Sequence, residues 1–184
     1  MESTHKNLVV FGSPSRDSFT AQLLNEMLER LPGGAVIFDC FATPPAPCDG
    51  CGRCKTEAGC RHGDLDGFFT QFAEAEQVIF AFPVYNNSFP APLKALIDRF
   101  QLFYNARFSR HEKHPVPGRR EVTVLLTMGG PQDVSELVLA QLRPVFTVTG
   151  CVLKRCVVLT GTDRLTPGQP LHPVMTDYET GDHL

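Results

Sequence analysis

Leu8-Val9-Val10-Phe11-Gly12-Ser13-Pro14-Ser15-Arg16-Asp17-Ser18-Phe19-Thr20 is the stretch whose reading decides the fold. Its first four residues are an apolar run of the kind that forms a buried strand. Beyond it, Leu23, Leu24, Met27, Leu28 and Leu31 recur at helical spacing, with Glu26, Glu29 and Arg30 on the other face. A turn joining a buried strand to a helix lies, in a parallel sheet, at the carboxyl edge, where ligands bind. This turn carries hydroxyls at Ser13, Ser15, Ser18 and Thr20 and a cation at Arg16. The unpaired N–H groups of a helix start suit a phosphate, and hydroxyl donors add to it. The other reading is a Ser-rich turn with a helix cap. The loop is neither G-x-G-x-x-G nor a Gly-Lys-Ser/Thr loop, which favours a lone terminal phosphate over a dinucleotide or nucleoside triphosphate.

The same alternation continues down the chain. Pro32-Gly33-Gly34 ends the first helix, and Ala35-Val36-Ile37-Phe38 reads as a second buried strand. Leu65, Phe68, Phe69 and Phe72 predict a short helix. The run from Gln77 to Phe82 fits a central strand covered on both faces. A loop from Pro83 to Pro90 precedes a helix with Leu93, Leu96, Ile97 and Phe100 on one face and a Lys94–Asp98 pair one turn apart. Residues 101–120 read as a basic loop, followed by a fourth strand from Val122 to Leu126 and a third edge loop, Thr127–Pro131. A helix from Val134 to Thr149 is expected to kink at Pro144 or break before it. Cys151–Leu159 is a fifth strand with a polar interruption at Lys154-Arg155.

Strands alternating with helices imply a parallel α/β sheet, and the expected strand order is 2-1-3-4-5. That order makes the first and third strands neighbours, so the three edge loops flank one crevice. The expected domain is a single one, residues 1–184, with a Cys-rich loop at 43–63 and an irregular tail at 161–184. No helix follows the fifth strand, which leaves apolar surface for a second subunit or the tail. A net charge of −3 points away from nucleic acid and anionic membrane. No leader peptide and no bilayer-length apolar run are visible, which predicts a cytoplasmic chain. Seven cysteines are an odd count, so reduced thiols, metal ligands or redox cysteines are expected before a disulfide framework.

The segments G-S-P-S-R-D-S-F-T-A-Q-L-L and P-V-Y-N-N-S-F-P-A-P-L-K-A-L-I-D-R resemble the NADPH-dependent FMN reductase family, of flavodoxin-like fold. The segment C-D-G-C-G-R-C-K-T-E-A-G-C resembles its iron–sulfur flavoprotein branch. The likeness runs from about Leu8 to Arg99, and more loosely to Leu159. It implies a three-layer sandwich in which the first loop, through Ser13, Arg16, Ser18, Phe19 and Thr20, holds the FMN phosphate. Family members often carry a basic residue where this chain has Ser15, which leaves Arg16 as the only cation of the loop. Pro83, Val84, Tyr85, Asn86, Asn87 and Ser88 would lie along the isoalloxazine ring. Thr127, Met128 and Gly129 would meet it from the other side. Tyr85 stacks near the ring on this reading, or packs in the core on the alternative one.

Cys48, Cys51, Cys54 and Cys60 have the spacing C-x2-C-x2-C-x5-C. Soft thiolates this close in sequence suit a [4Fe–4S] cluster; zinc, or free thiols that keep the pattern without a metal, are the alternatives. Cys40, Cys151 and Cys156 lie in expected strands and read as small apolar core residues. Arg107, Arg110, Lys113, Arg119 and Arg120 read as a solvated loop, with the NADPH phosphate or a subunit interface as alternatives. His111, His114, His172 and His183 have no metal-like spacing and read as exposed.

The expected function is therefore an FMN-dependent NAD(P)H oxidoreductase. Electrons come from NADPH, NADH or a ferredoxin-like protein donor and pass through FMN to a small-molecule acceptor. No catalytic acid, base or nucleophile is required of the chain, since the flavin carries the chemistry. The alternative is a non-enzymatic electron carrier of the flavodoxin type. The resemblance also implies a homodimer or homotetramer.

Overall fold

The apolar runs of the chain line up side by side in one sheet. The computed structural model describes residues 7–166 and 168–178. Strands β1 (Asn7–Phe11), β2 (Val36–Asp39), β3 (Gln77–Pro83), β4 (Arg120–Thr127), β5 (Cys151–Leu159) and β6 (Val174–Asp177) lie in the order β2-β1-β3-β4-β5-β6. The first five are parallel and follow the expected order of the flavodoxin-like fold.

Successive strand residues face opposite layers, so each strand feeds two cores. Val9, Phe11, Ile79, Ala81, Leu125 and Val157 pack with Leu23 and Leu24 of α1 (Phe19–Leu28). Val10, Val78, Phe80, Phe82, Val124 and Leu126 pack on the other face. That face is covered by α2 (Asp66–Glu74), α3 (Ala91–Arg99), α4 (Gln101–Phe108) and α5 (Ser135–Thr149). The second core is rich in phenylalanine: Phe69 meets Phe100 and Phe103 edge to face at 5.5 and 5.2 Å.

Several expectations change. The five strands become six, because part of the tail expected to be irregular pairs antiparallel with β5, Val158 opposite Val174 and Arg155 opposite Asp177. The open edge of β5 supplies the backbone partners, and Arg155 Nε reaches Asp177 Oδ1 at 2.5 Å. The second strand is an edge strand with Val36 and Ile37 exposed, not a buried one. Residues 101–108 are helical where a loop was expected, since Leu102, Phe103 and Ala106 continue a buried face. The α5 helix runs unbroken through Pro144. The polar interruption in β5 is a bulge: Val122 pairs with Leu153 and Thr123 with Arg155, so Lys154 is the extra residue. His183 and residues 179–184 of the tail lie outside the described residues, as does the polar N-terminal segment 1–6.

Among the described residues α1 is the one helix that covers its face of the sheet. Beside it runs a groove of about 430 Å³ lined by Leu23, Met27, Ile79, Leu125, Val157 and Met175 among others, where a helix after β5 would lie. Leu165 and Leu171 of the tail pack against the same core. No described helix is long and apolar enough to cross a membrane.

Candidate functional site: a crevice at the carboxyl edge

Three loops leave the carboxyl ends of β1, β3 and β4 and enclose a crevice of about 700 Å³. This is the topological switch point of the sheet, since the chain moves from β1 outward to β2 and then back to β3. The volume lies in the range of small-molecule and cofactor sites.

The first loop leaves β1 through Gly12, whose N–H donates to Ala81 O at 2.9 Å. A Cβ there would sit 3.0 Å from Phe82 Cβ and 2.9 Å from Leu93 Cδ2, so the loop and α3 approach closely only over glycine. Ser18 caps α1: its Oγ accepts from Ala21 N at 3.2 Å and donates to Ser15 O at 2.8 Å. Ser13 Oγ stands 2.9 Å from Ser18 Oγ, and Ser15 Oγ accepts from Asp17 N at 3.1 Å. The helical ladder begins with Gln22 N donating to Ser18 O, so the N–H groups of Phe19 and Thr20 have no partner within the helix. The turn is thus a helix cap, and Ser18, Phe19 and Thr20 line the crevice.

The second loop is a tight reversal. Tyr85 and Ser88 exchange both backbone hydrogen bonds, at 3.0 and 2.9 Å. Asn86 (φ 51°) and Asn87 (φ 59°) occupy the left-handed region, the pattern of a type I′ hairpin turn, which asparagine tolerates better than most residues. Val84 N donates to Thr127 O at 2.8 Å, which ties this loop to the third. Thr162 N and Asp163 N, beyond β5, donate to Met128 O and Gly129 O and hold the third loop from outside.

Of the residues expected to form the site, Ser13, Ser15, Ser18, Phe19, Thr20, Pro83, Val84, Tyr85, Asn86, Thr127 and Gly129 line the crevice together. Tyr85 is 46% exposed and is no core residue. Four do not line it. Arg16 turns to Asp39, with Nη2 2.6 Å from Oδ2 and the guanidinium 5.0 Å above the Phe11 ring. Met128 is buried in the core. Asn87 and Ser88 are engaged by Gln141 of α5: Ser88 Oγ donates to Gln141 Oε1 at 2.8 Å, and Gln141 Nε2 donates to Asn87 O at 3.1 Å. Pro14, Asp17, Gln22, Gly130, Thr162 and Asp163 line the crevice without having been singled out. The first two sit inside the quoted loop, but Thr162 and Asp163 come from a segment with no local signal.

The model of the NADPH-dependent FMN reductase family matches residues 5–163. The chain belongs to the NADPH-dependent FMN reductase family. It thereby joins an oxidoreductase family that the crevice geometry suits. This FMN reductase family member is 34% identical over 89 residues to an iron–sulfur flavoprotein of Methanosarcina thermophila, covering 48% of this chain and 42% of the relative. The match thus spans under half of that relative's length. It is 30% identical over 150 residues to an FMN-dependent NADH:quinone oxidoreductase of Bordetella bronchiseptica, covering 70% and 69% of the two chains. An NAD(P)H:quinone oxidoreductase from Methanothermobacter marburgensis superposes with a TM-score of 0.68 at 18% identity, over 91% of this chain and 87% of that one. An azoreductase from Bacillus anthracis gives 0.60 at 21% identity, over 86% and 88%. At these identities the two structures speak for the fold.

The Cys-rich loop of this family member lies apart from the crevice. Cys48 and Cys51 are exposed, and Cys54 and Cys60 half-buried. Among the described residues no three His, Cys, Asp or Glu side chains lie close enough to share a metal ion, so the four thiols do not converge here and the cluster expectation gains no geometric support. Two buried residues of α3 and α4 hold the loop. Arg99 donates to Ala46 O, His62 O and Asp64 Oδ1, each at 2.8 Å, and Asn105 Nδ2 donates to Cys54 Sγ at 3.1 Å. Arg110 donates to Cys54 O and Glu57 O. The basic segment is therefore not simply a solvated loop. Arg120 is 1% exposed and donates to the carbonyls of Phe72, Ala73, Pro117, Gly118 and Thr149. His111, His114 and His172 are exposed, as expected. Cys40 and Cys156 are buried and Cys151 half-buried.

Proposed function

We propose that this chain is an FMN-dependent NAD(P)H oxidoreductase that reduces a small acceptor of the quinone or azo class. The observation that carries the reading is the crevice itself, where loops from β1, β3 and β4 meet beside an unpaired helix start. FMN, when bound, supplies the chemistry: it accepts a hydride from a nicotinamide and hands electrons to the acceptor. The chain binds and orients. Ser13, Ser15 and Ser18, with the N–H groups of Phe19 and Thr20, would hold the phosphate. Pro83, Val84, Tyr85 and Asn86 would line one side of the ring, and Thr127 and Gly129 the other.

The printed names of the relatives, an FMN-dependent NADH:quinone oxidoreductase and an azoreductase, support the acceptor class. An iron–sulfur centre in the Cys-rich loop has the thiol spacing and the iron–sulfur flavoprotein relative in its favour. Tyr85, exposed at the crevice, supports a second copy closing over its mouth. Titration of the purified chain with FMN, followed by NADPH or NADH oxidation with a quinone or an azo dye, tests the reading. Flavin-dependent consumption of the nicotinamide is expected. Bound flavin that neither nicotinamide reduces would leave an electron carrier instead.

A further inference from the structure

We propose that Asp163 restricts the acceptor of this chain to uncharged or cationic members of its class, by placing a carboxylate against Gly129 at the crevice wall assigned to the flavin ring. The proposal rests on the oxidoreductase reading above and selects among the acceptors that reading leaves open. Asp163 comes from beyond β5, yet it lines the crevice together with Thr127, Gly129 and Gly130 of the third loop.

Backbone bonds fix its position. Gly161 N, Thr162 N and Asp163 N donate to the carbonyls of Gly130, Met128 and Gly129 at 2.7, 3.0 and 3.2 Å, so the segment runs zipped along the third loop. Thr162 Oγ1 adds a second bond to Met128 O at 3.2 Å. The Asp163 side chain then lies over that loop: a Cβ on Gly129 would stand 2.6 Å from each of its two carboxylate oxygens. Glycine at position 129 is what leaves room for the carboxylate.

The charge at this wall has no counterweight in the crevice. Among the described lining residues there is no Lys, Arg or His. Arg16, the cation of the first loop, pairs with Asp39 and does not line the crevice. The other carboxylate of the lining, Asp17, belongs to the first loop, where the reading puts the phosphate. An acceptor that meets the ring beside Gly129 meets the Asp163 carboxylate as well. A neutral quinone feels little of that charge, and a sulfonated one is repelled. Asp163 is exposed, so water and salt screen the repulsion and the expected effect is several-fold.

The test uses a naphthoquinone and a naphthoquinone sulfonate as acceptors of the FMN-loaded chain. The readout is the ratio of their kcat/KM values, sulfonate over neutral, in the natural chain, Asp163→Asn and Asp17→Asn. Comparing this ratio between variants cancels the intrinsic reactivity of each quinone. Asp163→Asn should raise it about three- to tenfold at low salt. Added salt should raise it in the natural chain and much less in Asp163→Asn, since the screened repulsion is already gone there. Asp17→Asn should move it less than Asp163→Asn does. A ratio that Asp163→Asn leaves unmoved, or that Asp17→Asn moves equally, would overturn the proposal. An FMN titration and a reduction by NADPH or NADH come first. If FMN does not bind or is not reduced, the oxidoreductase reading falls and takes this proposal with it; if both succeed and the ratio stays put, this proposal fails alone.

Discussion

Thr20 Oγ1 and Thr127 Oγ1 lie 2.6 Å apart, buried, and 107 residues distant in sequence. One hydroxyl donates to the other and fastens the start of α1 to the end of β4, across the floor of the crevice. Thr127→Val keeps the shape and leaves Thr20 without this partner. A loss of about 1–2 kcal/mol in unfolding free energy is expected from the orphaned hydroxyl. FMN affinity should fall with it. Chemical denaturation and a flavin titration measure the two effects; an unchanged value of both would show that the pair holds nothing.

Gln141 fixes the second loop from α5 through Ser88 and Asn87 O. It lies outside the crevice lining, so its effect is on positioning. Gln141→Ala should lower global stability by about 1 kcal/mol, since a half-buried side chain gives up its hydrogen bonds to Ser88 and Asn87. Flavin binding should weaken several-fold, because the turn carrying Tyr85 and Asn86 loses its brace. Isothermal titration beside a thermal melt separates the two.

Arg120 is a buried cation whose partners are carbonyls near the ends of α2 and α5. Burial pulls its pKa below the usual arginine value, with a small opposing pull from Cys151. The guanidinium closes helix C-termini that would otherwise be orphaned in the core. Arg120→Met fills much of the volume and leaves several carbonyls bare. A loss of about 3 kcal/mol or more is expected, since each buried unpaired group costs about 1–3 kcal/mol. A denaturation curve with an unmoved midpoint would refute that account.

Burial pushes the thiols of Cys40 and Cys156 up to about 12 and that of Cys151 up to about 11, against an ordinary value near 9. For Cys40 the neighbouring Asp39 adds to the effect. A folded-state value raised above the unfolded one gives stability that is whole below pH 9 and lost as pH rises toward 11 to 12. Melting temperature should therefore decline across that alkaline window. At pH 8 a thiol reagent should modify the exposed Cys48 and Cys51 first, and Cys40 and Cys156 only after unfolding. Mass spectrometry of the partly alkylated chain reads the order directly.

The amino-acid pattern alone determined the five parallel strands and most helices, because the spacing of Leu8–Phe11, Gln77–Phe82 and the leucines of α1 is a local signal. It also marked the three loops of the crevice, since a strand-to-helix turn announces itself in consecutive residues. The helix at 101–108 was hidden by its charged and aromatic outer face, and β6 by proline and glycine around a short strand whose only reason to form is the open edge of β5. What the local pattern could not reveal was which way each polar side chain turns. Arg16 faces Asp39 instead of the crevice, Arg120 leaves solvent for buried carbonyls, and Thr162 and Asp163 arrive at the site from beyond β5. Each of those choices depends on a partner distant in sequence, brought within reach only when the layers pack.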